Sequence, residues 1–390
     1  MLSQFSQEKV SKAHIMVVGC GALGNEVVKN LVLMGVRHLV LVDFDHVEPD
    51  NLSRSVWFTK EDAQAGRCKV EAMADKLKQF HPEIELRTIY GNIAYDVGLG
   101  LIRRMDVIIG CVDNRWARYC INRLCMRAGK PWVDGGIDGL EGTARVFMPG
   151  ENCYACNIGP EGLKDLTRRM PCAGIIRRNI EAGKAPTTSI VASIIGAVQV
   201  QEALKIIHNA QLPLRSRNSL APPSAFIIHN NEFTSLCGKM FYYEGQHLTS
   251  KLVDFKAWDD DCALHECWEP VKHTALTTQA TVAEALQQLK DELQTTEVSI
   301  RLTDDCFVDY VARRDNNKRF EVMKPGRAVA TFVEENKELC GIPFSGLYQH
   351  EWRDIDNKFP YLNLTLGEIG IPMQAVLLVG DSYVELSENG

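Results

Sequence analysis

The stretch His14-Ile15-Met16-Val17-Val18-Gly19-Cys20-Gly21-Ala22-Leu23-Gly24 decides the fold. His14 to Val18 is an apolar run of strand length, and Asn25 to Met34 carries apolar residues at helical spacing. Between them Gly19, Gly21 and Gly24 spell G-x-G-x-x-G at a strand-to-helix junction. Glycine there lets the backbone approach phosphates, and the helix N-terminus favours their charge. Arg37 to Val42 is a second strand, so the segment reads as the opening βαβ unit of a doubly wound α/β fold with a largely parallel, Rossmann-like sheet. Asp43 ends that second strand, nineteen residues beyond Gly24, where a carboxylate accepts both ribose hydroxyls. On these residues alone the ligand is an adenine nucleotide and NAD is the default; a structural glycine turn is the bland alternative.

The pattern continues outward. Lys69 to Phe80 is helical in period, Glu85 to Tyr90 extended, Val107 to Cys111 a buried strand, Trp116 to Ala128 helical, and Trp132 to Asp134 and Gly142 to Met148 strand-like. Residues 157–186, rich in Gly, Pro and charge, read as a crossover loop, and Thr187-Thr188 cap a helix reaching about Ile207. That apolar helix is interrupted by Gln199, Glu202 and Lys205, so it reads as a buried helix and not a bilayer span. Arg215 to Pro223 is a loop or linker. The texture then changes, giving an expected division into residues 1–269 and a smaller α+β domain, 270–390. In the latter, Thr281 to Leu293 and Leu364 to Gly370 are expected helices, and Val298 to Leu302, Val308 to Arg313, Val376 to Val379 and Tyr383 to Leu386 expected strands.

A second set of polar residues turns the reading away from NAD. Asp43-Phe44-Asp45-His46-Val47-Glu48-Pro49-Asp50-Asn51-Leu52-Ser53-Arg54 is followed by Gly66-Arg67-Cys68-Lys69. A hydride-transfer site has no need of Asn, Arg and Lys clustered near a pyrophosphate. Nucleotidyl transfer needs cations against the charge on the α-phosphate and the leaving pyrophosphate, which Arg54 and Lys69 would supply. Asp113, in Cys111-Val112-Asp113-Asn114, ends a buried strand where a carboxylate would hold Mg2+. The bland readings are solvated charges for Arg54 and Lys69 and a helix cap for Asp113.

The glycine loop, the D-x-D followed by N-L-x-R, the G-x-x-K and the strand ending in D-N together resemble the ThiF/MoeB and ubiquitin-activating enzyme family, over roughly residues 10 to 270. The resemblance implies ATP·Mg2+ binding and attack by the C-terminal carboxylate of a ubiquitin-like or sulfur-carrier protein on the α-phosphate. By position in the motif it puts Gly21 on the phosphates, Asp43 on the ribose, Asn51, Arg54 and Lys69 on the triphosphate, and Asp113 on the metal. Asp45 is the second carboxylate of the D-x-D. It also implies a homodimer, although no Arg precedes Arg37, whereas many members carry one in that segment that reaches the partner's ATP.

The thirteen cysteines belong in a reducing compartment, where a disulfide framework is not expected. Cys153-Tyr154-Ala155-Cys156 is a C-x-x-C pair, and Cys262-Ala263-Leu264-His265-Glu266-Cys267 offers a second pair with either His265 or Cys267 as the fourth ligand of a tetrahedral Zn2+. The family commonly has a structural zinc of this kind; unliganded buried thiols are the alternative. Cys172, in the crossover loop among Arg168, Arg169, Arg177 and Arg178, is a candidate nucleophile, since positive charge favours thiolate. In ubiquitin-activating enzymes a Cys of that loop takes the acyl group as a thioester. The C-terminal domain stands where such enzymes carry a domain that recruits a ubiquitin-conjugating-like enzyme, and the combination resembles compact bacterial relatives, some serving antiviral defence. Activation of a sulfur carrier without a thioester, an NAD-dependent oxidoreductase and a non-catalytic heterodimer partner are the competing readings.

Composition is that of an ordinary globular chain: 390 residues, 45% hydrophobic and 24% charged. A formal net charge of −7 argues against a nucleic-acid partner. The polar N-terminus lacks a secretory h-region, so a cytoplasmic protein with no membrane partner is expected.

Overall fold

The computed structural model describes residues 5–168, 188–209, 235–255, 259–262, 264–301, 307–314, 318–325, 347–352 and 354–388. The chain separates into two compact units, one of Met1–Ala94, Leu101–Leu163 and Ala185–Cys267, the other of Tyr95–Gly100, Lys164–Lys184 and Trp268–Gly390.

The first unit is built on an eight-stranded sheet in the order β3-β2-β1-β4-β5-β6-β7-β8. Its strands are β1 (His14–Val18), β2 (His38–Asp43), β3 (Glu85–Tyr90), β4 (Val107–Gly110), β5 (Trp132–Asp138), β6 (Glu141–Phe147), β7 (Lys239–Glu244) and β8 (Thr249–Asp254). The first five are parallel, with His14 opposite His38 and Ile15 opposite Val107. β6, β7 and β8 continue the sheet antiparallel. β1 and β4 are nearly continuous in apolar residues because helices cover parallel strands on both faces: Ile15, Met16, Val17 and Val107 to Ile109 are all buried. Chain order reverses between β1 and β4, the switch point at which open α/β sheets hold ligands outside the strands' carboxyl ends.

The helices Ala22–Leu33 and Ser189–His208 pack on each other, and the second also lies along β4, β5 and β6. Ser189–His208 is the one described helix long and apolar enough to cross a bilayer, yet two of its polar residues are buried inside the unit. Buried Gln199 donates through Nε2 to the Gly110 carbonyl at 2.9 Å, and buried Glu202 accepts from the Leu236 amide at 2.8 Å.

The second unit holds a five-stranded sheet, β14-β10-β15-β16-β9, and a three-stranded one, β12-β11-β13. These comprise β9 (Val271–His273), β10 (Ile300–Arg301), β11 (Phe307–Arg314), β12 (Lys318–Pro325), β13 (Leu347–Trp352), β14 (Asp354–Ile355), β15 (Val376–Val379) and β16 (Ser382–Glu385). The helix Val282–Leu293 starts on a capping box in which Thr281 and Glu284 satisfy each other's amides, and buries Val282, Ala285 and Leu289.

Two expectations need correcting, and one element is additional. The crossover segment is helical where it is described: Tyr154–Arg168 is helix, interrupted at Gly159 with φ 71°, so Pro160 starts a new helical stretch at the position its fixed φ suits. Leu364 to Gly370 is not a helix. Thr365 and Glu368 cap each other there as at a helix start, but Gly370 takes φ 94° and Pro372 follows, so one turn forms and stops. The β7–β8 hairpin, with Gly245 in its connection, was not foreseen. The Arg215 to Pro223 loop lies outside the described residues.

Candidate functional site

The glycine loop joins the carboxyl end of β1 to the helix Ala22–Leu33. Gly19 sits at φ +96°, and a Cβ built on it would lie 2.5 Å from the Cys111 carbonyl oxygen. On Gly24 a Cβ would lie 1.9 Å from the Gly19 carbonyl, so neither position admits a side chain. Nothing lies within 4 Å of the equivalent point on Gly21, which leaves its outer face open where a phosphate would approach. The loop is tied to both neighbouring strands, since the Gly19 amide donates to Val42 at 2.8 Å and the Cys111 amide donates to Val18 at 2.7 Å.

Asp43 fixes the loop from the end of β2. Its carboxylate accepts from the Cys20 amide at 2.6 Å and from the Asp45 amide at 2.8 Å. Burial pushes its pKa up, against the pull of Lys69. Lys69 starts the helix Lys69–Phe80, is only 8% exposed, and donates through Nζ to Asp45 at 2.8 Å. Burial alone would lower its pKa, but Asp43 and Asp45 outweigh it and hold the value above that of an ordinary lysine. Lys69 is therefore a desolvated, charged ammonium and not a solvated surface charge. Its backbone is anchored too, the Lys69 amide donating to the Asp45 carbonyl at 2.9 Å.

Asn51 and Arg54 lie on a 3-10 turn, Pro49–Ser53, and just after it. Asn51 is buried and its Oδ1 accepts from the Glu48 amide at 3.0 Å, so part of its bonding capacity shapes the turn. The half-buried Arg54 closes that turn, its amide donating to Asn51 at 3.1 Å. Asp113 is exposed beyond β4 and accepts from Asn114 Nδ2 at 3.2 Å. It is not the cap of the following helix: Asn114 is, its Oδ1 accepting from Ala117 at 2.8 Å. Asp113 thus keeps a carboxylate oxygen at the strand ends, which suits Mg2+ held by one or two carboxylates and substrate phosphates.

One constellation at these strand ends was missed from sequence. Fully buried Asp134 on β5 accepts from Arg118 Nε at 2.9 Å and also binds Arg145 of β6. Arg118 further donates to the Val112 carbonyl at 2.7 Å, directly before Asp113, and to the Gly135 carbonyl at 3.0 Å. The three residues are scattered in sequence and fit no spacing rule; the only available signal was an acidic residue inside a predicted buried strand, which implies a cationic partner.

The thiols divide sharply. Cys153, Cys156, Cys262 and His265 bring four donor atoms within 4.8 Å of one another. The Cys153–Cys156 and Cys153–Cys262 sulfur pairs are 3.7 and 3.8 Å apart, and Cys156 Sγ is 3.2 Å from His265 Nε2. A tetrahedron with Zn–S bonds of about 2.3 Å has sulfur edges of about 3.8 Å, so three thiols and an imidazole in this arrangement suit Zn2+. Hydrogen bonds from the Cys153 and Cys262 thiols hold Cys156 well below the usual thiol range, while the bonds of Cys153 to Cys156 and Cys262 push Cys153 up. Burial depresses His265, but Cys156 and Cys262 outweigh it and raise it to about 9. Cys267 is not part of the group: its thiol lies 3.6 Å from the Arg127 carbonyl, to which it donates. Cys172 lies outside the described residues. Cys20, Cys120 and Cys125 are buried, and burial pushes the Cys20 and Cys125 thiols up, as expected of core residues.

Comparison with known proteins places this geometry. The ThiF family model matches residues 2–237. The chain is 27% identical over 257 residues to the adenylyltransferase and sulfurtransferase MOCS3-1 of Zea mays, covering 66% of this chain and 47% of that protein. It is 34% identical over 151 residues to the SUMO-activating enzyme subunit uba-2 of Caenorhabditis elegans, covering 38% of this chain and 26% of that one. It therefore spans about half the length, or less, of these curated relatives. Among solved structures, E. coli MccB crystallised with AMPCPP and MccA shares the fold at a TM-score of 0.50 and 21% identity, over 66% of this chain and 68% of that one. With the family model matching more than half of the chain and the glycine loop, Asp43 and Lys69 in place at the switch point, the chain belongs to the ThiF family.

Proposed function

We propose that the protein uses ATP to adenylate the C-terminal carboxylate of a ubiquitin-like or sulfur-carrier protein. The observation that carries this reading is the charged, desolvated Lys69 held by Asp45 beside Asp43 and the glycine loop: a cation of this kind serves phosphoryl charge and has no use in hydride transfer. The relatives named adenylyltransferase or activating enzyme support it.

In the proposed reaction a carboxylate oxygen of the carrier attacks the α-phosphorus, the bond to the β-phosphate oxygen breaks, and pyrophosphate leaves with the electron pair. Asp43 orients the ribose, the open face of Gly21 receives phosphate, and Lys69 and Arg54 bear the charge that builds on the leaving group. Mg2+ bound by Asp113 would neutralise further phosphate charge. Zn2+, held by Cys153, Cys156, Cys262 and His265, would be structural, since all four positions of a tetrahedron are filled by protein.

The finer reading is a second step in which Cys172 attacks the acyl adenylate, forming a thioester and releasing AMP, before transfer to a conjugating enzyme recruited by the second unit; the enzyme would work as a homodimer. The alternative is adenylation of a sulfur-carrier protein without an enzyme thioester, a reading that the relatives named adenylyltransferase and sulfurtransferase support. ATP–pyrophosphate exchange with candidate carriers, followed by non-reducing gels of wild type and Cys172→Ala, separates them. A Cys172-dependent, thiol-sensitive adduct supports the thioester; exchange without an adduct supports the sulfur-carrier reading; no exchange with any carrier refutes both.

A further inference from the structure

Asn25 follows the last glycine of the loop and belongs to no part of the motif, yet it is fully buried in the first turn of the helix Ala22–Leu33. Its Nδ2 donates to the Cys20 carbonyl at 2.9 Å and to the Gly21 carbonyl at 3.0 Å, both in the glycine loop. Its Oδ1 accepts from the backbone amide of Trp57 at 2.9 Å, and its own carbonyl accepts from the Trp57 indole Nε1 at 3.1 Å. Trp57 comes three residues after Arg54, and its ring meets Phe80 edge-on at 6.1 Å. One buried amide thus fastens the loop that would receive phosphate to the segment that carries Asn51 and Arg54.

We propose that Asn25 is a positioning residue that sets the placement of the Asn51–Arg54 segment against the glycine loop, an inference that rests on the nucleotide reading above. Three satisfied bonds on one fully buried amide leave the group a single orientation. Two further features point the same way. A residue needed only to start the helix would not bond a segment thirty-two positions away. A residue needed only for packing would be apolar, because an amide buried without partners loses its hydrogen bonds to water and gains none in return.

The test measures affinity for ATP with Mg2+, together with Tm, in wild type, Asn25→Ala, Arg54→Ala and the double variant. Asn25→Ala is expected to weaken ATP by about 10- to 50-fold when Arg54 is present and by less than about 3-fold when it is absent, because a misplaced group and a deleted one are lost only once. Trp57→Phe keeps the ring on Phe80 and removes only the indole N–H; a loss of about 3-fold with the same dependence on Arg54 is expected, and this variant carries the test should Asn25→Ala not fold. A lower Tm with unchanged affinity, or the same factor with and without Arg54, overturns the proposal. Wild type that binds no ATP overturns the nucleotide reading with it, whereas binding wild type with independent factors overturns only the role of Asn25.

Discussion

Along the carboxyl-end side of β1, β2 and β5 the buried charges are met by protein: Asp43 by two amides, Lys69 by Asp45, Asp134 by two guanidiniums. Around Cys153 the opposite holds, with four donors crowded within 4.8 Å, one thiol pushed up, another pulled down and an imidazole raised. The frame of the first region is fixed by its own strands and helices, so that in the proposed reaction nucleotide and Mg2+ would add to a frame already in place. The second joins residues more than a hundred positions apart through closely spaced thiols and an imidazole, which a bound Zn2+ would convert into four ligand bonds. On the proposed function, then, one region of the unit would serve binding through preorganisation and the other folding through ligation.

The largest effect that would sharpen this contrast is on catalysis. Lys69→Ala is expected to lower pyrophosphate exchange by about 10²- to 10³-fold with little change in circular dichroism, as for removal of a preorganised charge at a phosphoryl site. Next, Cys153→Ser or removal of zinc by chelator is expected to lower Tm by about 10 °C, corresponding to a few kcal/mol in a unit of this size, while ATP affinity changes less than about 3-fold. A parallel fall in affinity would break the comparison, making the two regions one cooperative structure.

Acidification provides a third test with a defined sign. Burial raises the pKa of Asp43, so the folded state binds that proton more tightly than the unfolded chain. This group therefore contributes stability below its unfolded pKa and loses it as pH rises through the folded value. Ribose binding needs the ionised form, so ATP affinity should fall as pH drops through that raised pKa, above the ordinary value of about 3.9. Asp43→Asn should flatten the profile, and a profile equally steep in that variant would show that another group carries it. The smallest effect is expected at Cys267→Ser: metal content of the purified protein unchanged and Tm within about 2 °C of wild type, against loss of metal in His265→Ala.

Legibility from sequence followed the range over which each feature is determined. Gly19 to Gly24 and Asp43 were readable because a strand, a tight turn and a helix leave their signature within thirty residues, and Gly24 answers a clash within the loop itself. Lys69 was readable by type and spacing, but its burial and its bond to Asp45 depend on how the helix Lys69–Phe80 meets β2, which no local pattern encodes. Asp134 was legible only as an acidic residue in a buried strand, and Arg118, Arg145 and the bond from Asn25 to Trp57 were not legible, since those partners come from other strands and turns. The choice between His265 and Cys267 rested on spacing alone and needed the Arg127 carbonyl, far away in sequence, to explain where the Cys267 thiol goes. The segment Leu364 to Gly370 shows the reverse failure: its capping pair is a true local signal, and the left-handed Gly370 cuts it short after one turn.

The most direct test of the central claim is ATP–pyrophosphate exchange by purified wild type and Arg54→Ala in the presence of candidate ubiquitin-like and sulfur-carrier proteins. The account predicts exchange that depends on one such carrier with an intact C-terminus and falls at least about 10²-fold in the variant. Carrier-independent exchange, or no exchange from wild type with any carrier while Lys69 remains buried and charged, would contradict it.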